Sequence, residues 1–379
     1  MSIPVPFLDL SAQQAEVADD VLAVWREQFA AASFIGGPEV EAFEHEYAEY
    51  VGVGHVVGVS NGTDALELAY RAIGIGPGDE IVMPANTFIA TAEAASRIGA
   101  VPVFVDVDAD HLLIDPAPAG GAITPPPAAV TPLPLFWQLA PMESIAAIAA
   151  RHGLAVVEDA AQAQGASGFA GRAGALGVVA ATSFYPGKNL GAAGDAGAIM
   201  TNDANIADLA RNLGAHGSSA KYVHDRIGFN ARLDAVQASV LRVKLRRLER
   251  WNQQRREAAE RYDRLLGDLG QVRLPSVREG NIDVWHLYVV RVDDRERVAA
   301  DLAEHGIATA VHYPTPVHLT AAYAGAGHPP GSFPVAERAA GEILSLPMFP
   351  HLTELQQLLV ADALREVVAR HPSPEGVRS

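Results

Sequence analysis

LAVVEDAAQAQG (residues 154–165) begins with an apolar run that does not alternate with polar residues. A uniformly apolar strand is typical of a parallel sheet that is covered by helices on both faces. Strand alternation places Asp159 at the end of this strand, on the same face as Ala155 and Val157. Ligands bind at the carboxyl ends of strands in open α/β sheets, so Asp159 is a candidate functional residue. A helix cap or an ion-pair partner is the alternative role for this acid.

Short apolar runs of the same kind recur on both sides of this segment. They are HVVGVS (55–60), DEIVMP (79–84), VPVFVDV (101–107), AAVTPL (128–133), VVAATSFY (178–185) and GAIMTN (197–202). Between them lie helical patterns that close on Gly, which are TDALELAYRAIG, TFIATAEAASRIG, MESIAAIAARHG and ANIADLARNLG. Alternating strands and helices predict an α/β architecture.

The pattern changes in the last third of the chain. A long amphipathic helix is predicted from about Arg232, and it bridges to a smaller α+β domain. We therefore expect a large domain over residues 1–250 and a small domain over residues 251–379. DPAPAGGAITPPP (115–127) reads as a Pro-rich loop and HPSPEGVRS (371–379) as a disordered tail.

Composition excludes several classes of function. The formal net charge of -17 repels nucleic acid and anionic membranes, so an anionic ligand must be bound by specific local groups. The absence of cysteine excludes disulfides, thiolate metal sites and a cysteine nucleophile. Neither a signal peptide nor a run of about 20 apolar residues is present, which favours a cytoplasmic location. No metal-ligand spacing occurs, so no metal is expected.

Lys188 is one of only three lysines in the chain, and it lies in the Gly-rich segment SFYPGKNLGAAGDAGAIM (183–200). A second signal is VGVSNGTDALELAY, where a helix beginning at Gly62 or Thr63 follows a strand and offers free N–H groups to an anion. An ordinary helix cap is the alternative for that start. One cofactor accounts for both features and for Asp159, and that cofactor is pyridoxal phosphate. Lys188 would bind it covalently, Asp159 would hold its pyridine nitrogen protonated, and Thr63 would contact its phosphate.

The same motifs resemble those of the DegT/DnrJ-type sugar nucleotide aminotransferases, which are fold type I pyridoxal phosphate enzymes. The resemblance runs from FIGGPEVEAFEHEYAEY through SNGTDALELAY, VVEDAAQAQGA and SFYPGKNLGAAGDAGAI to GFNARLDAVQA and VHYPTPVHL. It implies a large, mixed and mostly parallel sheet domain, a smaller α+β carboxy-terminal domain and transamination of a keto sugar. The form SFYPGKNLGA is most similar to members that aminate carbon 3 of dTDP-linked 3-keto-6-deoxy sugars.

The resemblance also assigns further residues. Gln162 corresponds to the residue beside the phenolic oxygen of the cofactor, Phe88 to the aromatic residue on its ring, and Ser183 to a phosphate contact beside Gly62. By itself, a Phe in such a stretch is more often a core residue. Asn230 corresponds to a residue that reaches the phosphate of the neighbouring subunit, which implies a homodimer with shared sites.

The substrate-facing segments of the family contain five residues of this chain, which are Tyr185, Tyr222, Arg232, His312 and Tyr313. Aromatic residues suit a sugar face and Arg suits a diphosphate. A buried structural role is the alternative for His312, and the histidine of VWHLY is interpreted as structural.

The segment PLPLFWQLAP departs from the family, with Pro134 in place of the usual His and Trp137 in place of the usual Gly. Trp137 is expected to affect the substrate pocket or the packing of subunits.

These inferences predict transfer of an amino group, with glutamate as donor, to a nucleotide-linked keto-deoxysugar in deoxyaminosugar or antibiotic biosynthesis. A cyclitol or 4-keto sugar aminotransferase is one alternative, because only the substrate-facing segments separate these activities. A pyridoxal phosphate-binding regulator without turnover is another. A dehydratase of the same fold is disfavoured, since it has histidine in place of Lys188.

Overall fold

The computed structural model describes residues 4–116 and 127–370. The Pro-rich segment predicted as a loop lies mostly outside these ranges, and the tail predicted to be disordered lies wholly outside them. The helices of the described residues are α1 (Ser11–Ala15), α2 (Ala18–Ala31), α3 (Pro38–Val51), α4 (Gly62–Ala72), α5 (Ile89–Arg97), α6 (Met142–His152), α7 (Ala204–Gly214), α8 (Ala235–Leu266), α9 (Arg295–Glu304), α10 (Pro334–Glu342) and α11 (Glu354–Arg370).

Strands occur throughout the same ranges, and short 3-10 turns cover Val317–Leu319 and Ala321–Ala326. The strands are β1 (His55–Val59), β2 (Glu80–Pro84), β3 (Val101–Val105), β4 (Pro127–Val130), β5 (Ala155–Asp159), β6 (Ser167–Gly168), β7 (Gly171–Arg172), β8 (Val179–Ser183), β9 (Gly197–Thr201), β10 (Ser218–Ala220), β11 (Val223–His224), β12 (Val272–Arg273), β13 (Tyr288–Val292) and β14 (Ile343–Leu346).

Seven strands form the large sheet, in the order β1-β9-β8-β5-β4-β2-β3. Only β9 runs against the others, because it pairs antiparallel with both β1 and β8 while the remaining pairs are parallel. All seven apolar runs identified in the sequence are strands of this sheet, so the prediction of a mixed, mostly parallel sheet is confirmed. Because six strands point the same way, their carboxyl ends meet at one edge.

A second, three-stranded antiparallel sheet has the order β12-β13-β14. Helices α9 and α10 contact its central strand, which is buried along its whole length. This arrangement is the smaller α+β unit that the sequence predicts. The predicted boundary at residue 250 falls inside the continuous helix α8, and it stays a prediction.

Helix α8 begins at Ala235, three residues later than the predicted start at Arg232. The residue before the helix, Asp234, has an extended backbone and pairs with Ile35 in an isolated bridge. That pairing keeps the preceding residues out of the helix. Among the described helices, none has the length and apolarity needed to cross a bilayer.

Candidate active site

A cavity of about 650 Å³ lies at the edge where the parallel strands end. Its walls come from the ends of β1, β5 and β8, from the first turns of α4 and α5, and from the segments 286–287 and 312–313. Ten of the thirteen residues predicted from the sequence line it. They are Gly62, Thr63, Phe88, Asp159, Gln162, Ser183, Tyr185, Lys188, His312 and Tyr313.

Lys188 lies in a tight turn between β8 and β9. Its N–H donates to the carbonyl of Tyr185 at 2.8 Å, and the turn closes where the N–H of Ala192 donates to Phe184 at 2.8 Å. A side chain at Gly191 would lie 2.3 Å from the carbonyl oxygen of Pro186, so this position requires glycine. Desolvation lowers the pKa of Lys188 to about 8, although the charge of Asp159 favours the ammonium form. Near neutral pH the side chain therefore has an appreciable fraction of free amine.

Asp159 is the last residue of β5, and its side chain is buried. Its Oδ2 accepts a hydrogen bond of 2.8 Å from the hydroxyl of Thr91, and its Oδ1 accepts one of 3.2 Å from the N–H of Ala161. Burial raises the pKa of Asp159, while these two donors and Lys188 oppose the rise. The carboxylate is thus fixed in the cavity wall with its ionised form supported by three neighbours.

The start of α4 can bind an anion. Asn61 caps this helix by accepting from the N–H of Asp64 at 2.8 Å, and the N–H groups of Gly62 and Thr63 have no partner within the helix. Both residues line the cavity. A Cβ atom at Gly62 would lie 2.7 Å from the Cβ of Ser183, so only glycine lets the helix start approach the end of β8 this closely.

Phe88 presents its ring to the cavity and is half exposed (50%), so it is not a core residue. The ring of Tyr313 lies 5.3 Å away, centroid to centroid. Gln162 is oriented by its carbonyl oxygen, which accepts from the N–H of Phe136 at 2.8 Å, while its Nε2 donates to the hydroxyl of Tyr313 at 3.1 Å. One amide hydrogen of Gln162 remains for a ligand.

His312 contributes an uncharged ring to the same cavity. Its Nδ1 lies 2.8 Å from the hydroxyl of Ser345, and its ring stacks on Phe7 at 5.5 Å. Burial and the charge of Lys188 lower the pKa of His312 to about 4. Apolar side chains of Phe7, Leu287 and Met348 also line the cavity, so much of this wall is uncharged.

Three predicted residues lie outside the cavity of one protomer. Tyr222 is 84% exposed on the hairpin of β10 and β11. Asn230 is exposed and its backbone pairs with Ala215. Arg232 is also exposed, and it lines a separate cavity of about 150 Å³ together with Glu44 and Arg211. The structure of one chain does not bring these side chains to Lys188.

Sequence analysis did not single out several residues of the site, and Thr91 and His286 are two of them. Thr91 follows Phe88 by three residues, so helical spacing could have placed it on the same side of α5. The histidine of VWHLY, His286, lines the cavity, although the sequence interpretation made it structural. The only sequence signal is its polarity within an otherwise apolar run.

Trp137 lies behind the cavity wall rather than in it. It is 3% exposed, and its ring stacks on Phe136 at 5.6 Å and on Trp285 at 5.2 Å. Leu133 is the residue of PLPLFWQLAP that lines the cavity, whereas Pro134 is buried elsewhere. The expected effect of Trp137 on the pocket can therefore act only through the residues it contacts.

Within the described residues, no group of three or more side chains is arranged to hold a metal ion.

Comparison with known proteins identifies the family of the chain. The model of the DegT/DnrJ/EryC1/StrS aminotransferase family matches residues 14–365. The erythromycin biosynthesis sensory transduction protein EryC1 of Saccharopolyspora erythraea is 50% identical over 92% of this chain and 95% of that protein. The dTDP-3-amino-3,4,6-trideoxy-alpha-D-glucose transaminase of Streptomyces venezuelae is 46% identical over 97% of both chains.

A crystal structure of DesV from S. venezuelae superimposes with a TM-score of 0.94, at 46% identity, over 96% of this chain and 98% of that one. Its likeness confirms the predicted fold type I architecture. The family model, the relatives that align over nearly the whole chain and the shared fold together show that this chain belongs to the DegT/DnrJ/EryC1/StrS aminotransferase family.

Proposed function

We propose that this protein is a pyridoxal phosphate-dependent aminotransferase that transfers the amino group of glutamate to a dTDP-linked 3-keto-6-deoxyhexose. The proposal rests on one observation. A lysine with a lowered pKa, a buried carboxylate and a helix N-terminus with unpaired N–H groups line the same cavity. The name of the S. venezuelae relative supports the substrate class.

The residues present fit the cofactor. The N–H groups of Gly62 and Thr63 would hold its phosphate, with Ser183 beside them. Phe88 offers a half-exposed ring for stacking, and the free amide hydrogen of Gln162 suits an oxygen acceptor. When bound, the cofactor supplies an electron sink for negative charge on the amino-bearing carbon.

Lys188 and Asp159 have different tasks in this arrangement. The neutral amine of Lys188 can form the covalent link and can then accept and return a proton at Nζ. Asp159, whose carboxylate Thr91 fixes in position, would hold a proton on the pyridine nitrogen of the bound cofactor. The lowered pKa of Lys188 favours its task at neutral pH.

The cavity walls favour a deoxysugar. Phe7, Leu287 and Met348 have no hydrogen-bonding groups in their side chains, and His312 is uncharged at neutral pH. A sugar with fewer hydroxyl groups leaves fewer donors unpaired against such a wall. This property supports a deoxyhexose over a fully hydroxylated sugar or a cyclitol.

Charge supports a homodimer with shared sites. Among the residues that the structure describes, four carboxylates line the cavity, those of Asp64, Glu93, Asp159 and Asp195, against two cationic side chains, those of Arg97 and Lys188. Arg97 is already paired with Asp64 at 3.1 Å and with Glu67 at 2.8 Å. A cofactor phosphate and a diphosphate therefore need further groups, which we assign to the exposed Asn230, Tyr222 and Arg232 of a second copy.

The test compares dTDP-3-keto-6-deoxyhexose, its 4-keto isomer and a cyclitol ketone as acceptors, with glutamate as donor and NMR identification of the products. We expect an amine at carbon 3 of the first compound. Amination of only the 4-keto sugar or the cyclitol would contradict the assigned substrate, and no reaction even with glutamate would indicate a regulator.

A further inference from the structure

We propose that His286 is a substrate-binding residue whose Nε2 accepts a hydrogen bond from a hydroxyl group of the sugar. This inference rests on the proposed function, because it concerns the sugar that occupies the cavity. His286 is partly buried and lines the same cavity as Lys188 and His312.

Asn189 determines which ring nitrogen of His286 has the proton. The side chain of Asn189 is buried, and its Nδ2 donates to the carbonyl of Val284 and to Oδ1 of Asn252, each at 2.8 Å. Both amide hydrogens are thereby used, so Oδ1 of Asn189 is an acceptor. The Nδ1 of His286 lies 3.2 Å from this oxygen and must be the donor.

The other nitrogen of His286 is left as an acceptor. A neutral imidazole has one N–H, which Asn189 holds on Nδ1, so Nε2 has a lone pair. Nε2 has no hydrogen-bond partner within residues 4–116 and 127–370. Burial lowers the pKa of His286 well below its usual value, and the charge of Lys188 acts in the same direction. The ring is therefore neutral in the pH range in which Lys188 is active.

The backbone around His286 is held by hydrogen bonds to the segment PLPLFWQLAP, which departs from the family pattern. The N–H of Val284 donates to the carbonyl of Trp137, and the N–H of Leu287 donates to the carbonyl of Phe136, each at 3.0 Å. Trp285 stacks on Trp137 with an interplanar angle of 14°. Trp137 thus acts on the pocket by holding the residues on both sides of His286, which prepares the ring before a ligand binds.

The lone pair on Nε2 of His286 would distinguish the keto sugar from glutamate. It attracts an O–H donor on a sugar ring, whereas the side-chain carboxylate of glutamate and the phosphates of a nucleotide have only acceptors. His286 is therefore expected to matter for the half-reaction with the keto sugar and little for the half-reaction with glutamate.

The first test compares His286→Asn with the wild-type holoenzyme in the two half-reactions. The Asn side chain keeps an N–H donor near Asn189 and removes the acceptor at Nε2. We expect kcat/KM for the keto sugar to fall about 10-fold and that for glutamate to change by less than about twofold. His152→Asn, at an exposed histidine on α6, is the matched control and should leave both values unchanged.

The second test measures the ¹⁵N shifts of His286 by NMR in the wild-type protein between pH 6 and 8, and it does not depend on the folding of a variant. The proposal requires a protonated Nδ1 and an unprotonated Nε2 throughout. A proton on Nε2, a charged ring, or equal effects of His286→Asn on both half-reactions overturns it. A wild-type enzyme that reacts with glutamate but aminates no keto sugar would contradict the proposed function itself. A wild-type enzyme that aminates the keto sugar, with one of the three results above, would contradict only the role of His286.

Discussion

Asp159 and Glu158 are neighbouring acids at the end of β5 that face different surroundings. Asp159 lines the cavity with donors on both oxygens. Glu158 is fully buried on the other face of the strand, where its Oε2 accepts from the N–H groups of Gly174 and Leu176. Strand alternation therefore places the Asp159 side chain at the cavity and the Glu158 side chain in the interior.

Asp159→Asn should separate catalysis from binding. The helix start at Gly62 and the amine of Lys188 remain, so the cofactor should stay bound. Turnover should fall by several powers of ten, because an amide does not hold the pyridine nitrogen protonated. The measurement is steady-state turnover with absorbance of the bound cofactor, and Asp362→Asn on the exposed face of α11 is the control. Turnover close to that of the wild type would remove Asp159 from this role.

Glu158→Gln should change how stability depends on pH. Burial raises the pKa of Glu158 from 4.5 to about 7, so the folded protein binds a proton that the unfolded chain has released. This group's contribution to stability is greatest below pH 4.5, decreases as pH rises to about 7 and then stays constant. The loss amounts to about 3 kcal/mol.

The amide variant lacks this titration, so its free energy of unfolding should decline less than that of the wild type between pH 5 and pH 8. Urea unfolding at both pH values measures the difference. Asp283 also has a raised pKa, of about 7, but it is present in both proteins and cancels. Parallel pH profiles for the two proteins would show that Glu158 does not titrate in this range.

The residues of the site were predictable where a motif coincided with a strand end, and less so elsewhere. Lys188, Asp159 and Thr63 follow from a rare lysine, an acid after an apolar run and a helix start. His286 could not be placed, because its role depends on the side-chain amide of Asn189 almost a hundred residues away. Hydrogen bonds between distant segments leave no periodic signal in the sequence.

At the scale of elements, the proposed anion site depends on the close contact between the start of α4 and the end of β8. Gly62→Ala places a Cβ 2.7 Å from the Cβ of Ser183, and the two elements must separate. We expect cofactor affinity to weaken by roughly 1–3 kcal/mol, since overpacking typically costs this much. Helix propensity by itself would favour alanine at this position. A loss of affinity would therefore result from the contact with Ser183 and not from a less stable helix.

Gly76→Ala is the matched control for this variant, because no atom lies within 4 Å of its added Cβ. The measurement is the Kd of pyridoxal phosphate by fluorescence titration. Equal affinities of the two variants would show that the α4 start does not hold the phosphate.

The elements themselves were predicted more completely than their packing. All seven strands of the large sheet follow from apolar runs, since strands buried on both faces need no polar alternation. The start of α8 was placed three residues early, because the bridge between Asp234 and Ile35 joins segments far apart in the chain. Trp137 was expected to affect the substrate pocket or the packing of subunits, but its stacking on Trp285, far away in the chain, could not be read from the sequence.

At the scale of the whole molecule, the proposed shared site predicts complementation between inactive subunits. Lys188→Ala removes the proposed covalent anchor, and Asn230→Asp would bring a negative charge towards the cofactor phosphate bound by the partner subunit. In a mixed dimer both lesions fall in one site and the other site is intact. Random mixing makes half of the dimers mixed, each with one working site of two, so activity should return to about a quarter of the wild-type value.

The two variants are unfolded together, refolded and assayed, with each variant refolded alone as the control. Activity that stays at the level of the single variants would place Asn230 at the cofactor of its own subunit. It would also disagree with the position of Asn230 outside the cavity of one protomer.

The identity of the covalent lysine tests the central claim most directly. Desolvation lowers the pKa of both Lys188 and Lys244 to about 8, so reactivity alone does not separate them. Lys188 lines the cavity, whereas the Nζ of Lys244 donates to the carbonyl of Gly191 at 2.7 Å and lies outside it. Borohydride reduction of the holoenzyme, followed by peptide mapping, should place the cofactor on the peptide that contains Lys188. Label on Lys244 or on the exposed Lys221 would contradict the account.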